Sequence, residues 1–205
     1  MAVNTTTRSR EHTRARLLDA AHEVFGEVGL GAASVEEICE RAGFTRGAFY
    51  SNFGSKDELF LALIGQLAED TLDQVAGRVQ DLEGAIDPRI DPGSLVRRVV
   101  GASVSDGLEP LLAAEMRVQA LRDPRLREPY RAWQVRLHGR IEDIMRTVVD
   151  RFGLTLRVDP PEAAQLLADL SEQTSARAAL EGWSREEASE RLNTRLTQVV
   201  GMLVS

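Results

Sequence analysis

The chain has 205 residues, room for one mid-sized domain or a small one fused to a larger one. With 43% hydrophobic and 28% charged residues it can fill a core behind a polar surface, and no apolar run approaches the length of a membrane span. The net charge of −7 argues against general affinity for polyanions, and the single cysteine, Cys39, excludes an intrachain disulfide and suits a cytoplasmic setting.

Residues 1–7 are polar and lack the apolar segment of a signal peptide. Charge is distributed unevenly after them. Arg8, Arg10, Arg14 and Arg16 face only Glu11 in the first sixteen residues, which makes one end basic while the remainder is acidic. Residues 1–12 therefore read as a flexible basic arm. Leu17, Leu18, Ala21, Val24, Phe25 and Val28 then recur at helical spacing, and Gly29 and Gly31 end that helix.

Ser34 and Glu37 form a capping-box signature, opening a second helix whose buried stripe is Val35, Ile38, Cys39 and Ala42. Gly43 supplies a turn, and Thr45 starts a very short third helix. That helix has only Phe49 and Phe53 to bury, and it exposes Thr, Arg, Tyr and Asn. Ser55 and Glu58 repeat the capping box and launch a long fourth helix through Leu59, Leu63, Leu67, Leu72, Val75, Val79 and Leu82. Residues 84–93, with Pro88 and Pro92, break the pattern and read as a linker.

Further helices are expected at about 92–106, 108–122, 124–152, 160–182 and 184–203. Asp91-Pro92, Asp123-Pro124 and Asp159-Pro160 place an aspartate before a proline at a helix start, and Ser184 with Glu187 forms another capping box. No strand is expected. The fold class is all-α: a three-helix domain at 13–58, joined by a long helix to a helical bundle within 59–205.

Two short helices joined by a glycine turn suit a helix-turn-helix, whose second helix lies in a DNA major groove. Arg46 can donate two hydrogen bonds to a guanine, and the Thr45 methyl or Ala48 can touch a thymine methyl. Gly47 removes a side chain and permits close approach. Arg14, Ser34, Tyr50, Ser51, Asn52 and Lys56 are the candidate phosphate contacts.

The whole string is more specific than its parts. It comprises the helix from Arg16 to Phe25, Gly29, Ser34-Val35-Glu36-Glu37-Ile38, Ala42-Gly43, Arg46-Gly47-Ala48-Phe49-Tyr50, and Phe53-x-Ser55-Lys56-x-Glu58-Leu59. Residues 14–59 thereby resemble the DNA-binding domain of the TetR family of bacterial transcriptional regulators. The resemblance implies a homodimer on a palindromic operator, usually a repressor, with a small-molecule pocket in the C-terminal domain. Asn52 stands where family members often carry His, and Ser51 where an aromatic or basic residue is frequent. Both keep the capacity to hydrogen-bond to phosphate.

In the C-terminal half Tyr130 and Trp133 pair a large apolar face with a polar tip and are the leading pocket candidates. Leu112, Met116 and Gln119 would form an opposing wall, with Leu137 and His138 beside them. Two apolar stripes suit a four-helix contact between subunits. One holds Ala164, Leu167 and Ser171, and the other Leu192, Leu196, Val199 and Leu203.

Catalysis is poorly served. His12, His22 and His138 are scattered without metal spacing, Cys39 lies on an apolar stripe, and no Walker loop or G-x-S-x-G string occurs. No enzyme, cofactor, metal or membrane partner is expected. The competing reading is a ligand-independent DNA-binding or architectural helical dimer.

Overall fold

The computed structural model describes residues 3–82, 94–95, 98–99 and 108–204. Among these residues it contains eight α-helices with described bounds, further helical residues at 94–95 and 98–99, and one isolated bridge pair, Leu156 with Val204. They are α1 (Val3–Ala32), α2 (Val35–Ala42), α3 (Arg46–Tyr50), α4 (Lys56–Asp81), α5 (Leu108–Arg122), α6 (Pro124–Phe152), α7 (Pro160–Glu181) and α8 (Arg185–Leu203). The chain is all-helical with an N-terminal helix-turn-helix, as its periodicity indicates.

Two compact units are present. The first comprises Met1–Gln66 and Leu112–Arg131, the second Leu67–Leu111 and Ala132–Ser205. This differs from the sequence-based division at 58/59, because part of α5 and the start of α6 belong with the N-terminal helices.

The first unit is built on the stripe of α1. Leu17, Leu18, Ala21, Val24 and Phe25 are buried, as are Ile38, Cys39 and Ala42 of α2, Phe49 of α3, Phe53 beyond it, and Leu59, Phe60 and Leu63 of α4. Phe25 and Phe60 meet edge to face at 4.8 Å. Fully burying a side chain of this size contributes about 1.5–3 kcal/mol, so a small three-helix domain can be held by these few residues.

Gly29 ends the regular part of α1. Its φ of 75° is left-handed, and a Cβ there would lie 2.9 Å from Glu115 Oε1. The following turn is held from two sides: Leu30 N donates to Glu115 Oε2 at 2.7 Å, and Lys56 Nζ donates to Leu30 O at 2.6 Å and Ala33 O at 2.7 Å.

In the second unit Val79, Leu95 and Val99 form a cluster covered by Val75, Leu82, Ile144, Val148, Phe152 and Leu154. Arg140 bridges Glu69 at 3.2 Å and Asp73 at 2.6 Å, and Arg151 donates to Val79 O at 2.9 Å. α7 and α8 pack on each other through Ala178, Ala188, Leu192 and Leu196, with Leu167, Leu170, Trp183 and Val200 around them.

Several local expectations hold. Ser34 with Glu37, and Ser184 with Glu187, form complete capping boxes. Asp123 Oδ1 accepts from Arg125 N at 2.9 Å. Others change. α1 is helical from Val3, so the segment read as a flexible arm continues the helix. Ser55 Oγ accepts from Glu58 N at 3.0 Å, but the Glu58 carboxylate turns to Gly54 N at 2.8 Å, one residue before the expected partner. Asp159 makes no side-chain cap bond: Pro161, at the second helical position, lacks the N–H that Arg125 offers Asp123. The linker at 84–93 and Asp91-Pro92 lie outside the described residues. So does most of the helix expected at 92–106, of which residues 94–95 and 98–99 are helical.

Candidate nucleic-acid interface

The site is built on α2, the Gly43 turn and α3. At the start of α2 Ser34 Oγ accepts from Glu37 N at 3.1 Å, and Ser34 N donates to Glu37 Oε2 at 2.9 Å. The Ser34 hydroxyl and amide hold the Glu37 carboxyl below the usual carboxylate range. Gly43, at φ 75°, closes α2 by donating its N–H toward the Cys39 and Glu40 carbonyls. The chain is thereby redirected into α3 within two residues, with Thr45 Oγ1 accepting from Ala48 N at 3.3 Å as the N-cap.

α3 is five residues long and buries Phe49. Thr45, Arg46, Gly47, Tyr50 and Ser51 are exposed, and Ala48 and Asn52 half-buried. So short a helix cannot hold itself, since nucleation costs more than one turn returns. Its C-terminal end is secured by side chains instead. Ser51 Oγ and Asn52 Nδ2 each donate to Ala48 O at 2.8 Å. Arg10 Nη2 donates to Ser51 O at 3.0 Å, Arg14 Nη1 to Asn52 O at 3.3 Å, and the Arg14 guanidinium lies 4.2 Å over the Phe53 ring.

These bonds redistribute the expected roles. Arg14, Lys56, Ser51 and Asn52 were candidate phosphate contacts, yet each donates to a backbone carbonyl within the first unit. Unpaired carbonyls at helix ends need donors, and these side chains supply them. Asn52 Oδ1 is shielded without a hydrogen-bond partner. Thr45 and Ser34 cap helices through their hydroxyls.

Gly47 is informative for the opposite reason. Its φ is not positive, and an added Cβ would meet only Thr45 Oγ1 at 3.7 Å, an ordinary contact. Alanine therefore fits, and inside a helix it is favoured over glycine by about 1 kcal/mol. Nothing within the chain calls for glycine at this position.

Elsewhere the expected groupings are looser. Of the ligand candidates, Leu112, Met116, Gln119 and Tyr130 fall in the first unit, and Trp133, Leu137 and His138 in the second. Leu112, Met116 and Tyr130 are buried. Of the subunit-contact candidates, Ala164, Leu192, Leu196 and Leu203 are already buried within the chain, Leu167 packs on the α7–α8 cluster, and Ser171 Oγ donates to Leu167 O. Val199 is half-buried. Leu167 of the first stripe thus covers Leu192 and Leu196 of the second. Glu36, Arg10 and Glu115 were missed as contributors, because each acts on a residue of another element and no local spacing signals it.

The family described as bacterial regulatory proteins, tetR family, matches residues 17–63. This segment is a TetR-type N-terminal domain. The matched stretch runs from Leu17 on α1 to Leu63 on α4 and holds every DNA-contact candidate except Arg14. All ligand and subunit-contact candidates lie beyond it.

Among TetR-type relatives, the uncharacterized HTH-type transcriptional regulator YvdT of Bacillus subtilis (strain 168) is 39% identical over 84 residues, covering 40% of this chain and 43% of that one. The HTH-type transcriptional regulator UidR of Escherichia coli (strain K12) is 24% identical over 174 residues, 85% of each chain. A crystal structure of a putative TetR-family regulator from Mesorhizobium loti MAFF303099 superposes with a TM-score of 0.70 at 22% identity, covering 94% of this chain and 97% of that one. The shared TetR fold thus extends over nearly the whole chain, while the family match covers residues 17–63. Among the described residues no helix is long and apolar enough to cross a membrane.

Proposed function

We propose that this chain is a cytoplasmic transcriptional regulator of the TetR family that binds a palindromic operator as a homodimer, represses by occupying promoter DNA, and is released by a small molecule. The observation that carries the DNA-binding part is the design of α3. Its Phe49, like Phe53 just beyond it, is inward, Arg46, Gly47 and Tyr50 are outward, and Gly47 has no intramolecular reason to be glycine. A five-residue helix that contributes one buried side chain, and is braced by four donors from other residues, is suited to presentation. In a dimer, two such helices would enter successive major grooves about one helical turn apart.

Release by an effector is what the family resemblance implies. It requires a molecule that binds more tightly to the conformation unable to hold DNA, since equal affinity for both shifts nothing. The alternative is an ungated DNA-binding dimer. Complete burial of Leu112 and Met116 favours it, because both then serve the core. A thermal-shift screen separates the two. A compound that raises the melting temperature and weakens operator binding supports gating, and stabilisers without effect on DNA support the alternative.

The main reading is tested by mapping bound sites across the genome. A shared inverted repeat upstream of a few genes is expected. Binding without a common or symmetric sequence would overturn it.

A further inference from the structure

Arg46 is held from two sides on the exposed face of α3. Its Nη1 donates to Glu36 Oε1 at 2.6 Å, across from the first turn of α2. On the other side its guanidinium carbon lies 5.9 Å from the centre of the Tyr50 ring. The Tyr50 side chain and the charge of Glu36 both raise the Arg46 pKa above its ordinary value.

The Glu36–Arg46 pair does little for the fold. Both side chains are more than half exposed, at 57% and 61%, and water screens such pairs. A carboxylate beside a DNA-facing arginine also lowers attraction to phosphate. What remains is orientation. A guanidinium has five donors in one plane, so Glu36 can occupy one N–H and leave a pair of donors for guanine O6 and N7.

We propose that Glu36 is the positioning residue for base reading by Arg46: its carboxylate fixes the guanidinium for one guanine, and its charge weakens binding to DNA that lacks that guanine. The inference rests on the DNA-binding reading above. On a matched operator the arginine is already aimed and loses little freedom on binding. On any other sequence the pair is electrically neutral and adds no phosphate attraction. Specificity is the ratio of these two affinities, and Glu36 acts on both.

The test uses the full chain and its E36A, E36Q and R46A variants. Each selects from randomised duplexes, and binding is then measured on the selected duplex and on one with the guanine replaced. Wild type is expected to prefer the guanine by roughly tenfold. E36A is expected to flatten that preference to under about threefold, at the same position as R46A. It should also bind the substituted duplex more tightly. E36Q, whose carbonyl still accepts a hydrogen bond, is expected to lie between, and all variants should melt as wild type does.

A structural role for Glu36 would move melting and leave base preference alone. An E36A chain that keeps the wild-type preference, or that changes a different base, overturns the inference while DNA reading stands. A wild-type chain that selects no sequence overturns both.

Discussion

At the scale of single residues, Gly47 and Lys56 make opposite cases. Gly47 costs the helix stability and has no contact to justify it, so Gly47→Ala is expected to leave thermal stability equal or raised by up to about 1 kcal/mol. The same change should weaken operator binding, and unchanged affinity would remove the close-approach argument. Lys56 looks like a phosphate ligand in the sequence, where it stands at the start of a long helix. In the structure its ammonium joins Leu30 O and Ala33 O, from residues 26 and 23 positions earlier. Lys56→Ala should therefore destabilise the fold by about 1–3 kcal/mol, since it leaves partly buried carbonyls unpaired. The salt dependence of DNA binding should barely change. A slope reduced by one unit with stability intact would restore the phosphate role.

Among the elements, those defined by local chemistry were readable in advance. The capping boxes at Ser34 and Ser184, the glycine turns and the apolar stripe of α1 each depend on residues three or four apart. Ser34→Ala is accordingly expected to cost about 1 kcal/mol in chemical denaturation. Glu37 adds an acid dependence. Its folded-state pKa lies below its ordinary value, so its contribution is complete above that ordinary value and is lost as pH falls through the lowered one. Removing Ser34 should reduce that dependence in denaturation midpoints measured between neutral and acid pH. The long-range joints were not readable. Glu115 meets Leu30 from 85 residues away, and Glu36 meets Arg46 across a turn whose angle only the fold sets. A stripe on a helix tells that the face is covered but not which helix covers it. For that reason Leu192 and Leu196 looked like a subunit contact and proved to pack within the chain.

For the whole molecule, that correction changes how dimerisation is tested. Leu196→Glu would place a charge inside the α7–α8 cluster and disrupt folding, with a loss of several kcal/mol. The exposed Leu166 and Met202, at 45% and 64% accessible, are better probes. Converting both to Glu is expected to yield monomers of full helicity by light scattering and circular dichroism. A persistent dimer would move the contact to another face. The molecule also divides in how much it discloses. Residues 17–63 carry the TetR signature and the proposed DNA-reading helix, whereas the candidates for effector and partner contact lie in helices whose apolar faces serve packing equally well.

The central claim is that α3 reads DNA sequence, and selection from a pool of randomised duplexes tests it most directly. The wild-type chain is expected to retain an inverted repeat with half-sites centred about 10 base pairs apart, and Arg46→Ala to lose one position of each half-site. A pool no more enriched by wild type than by Arg46→Ala would contradict the account.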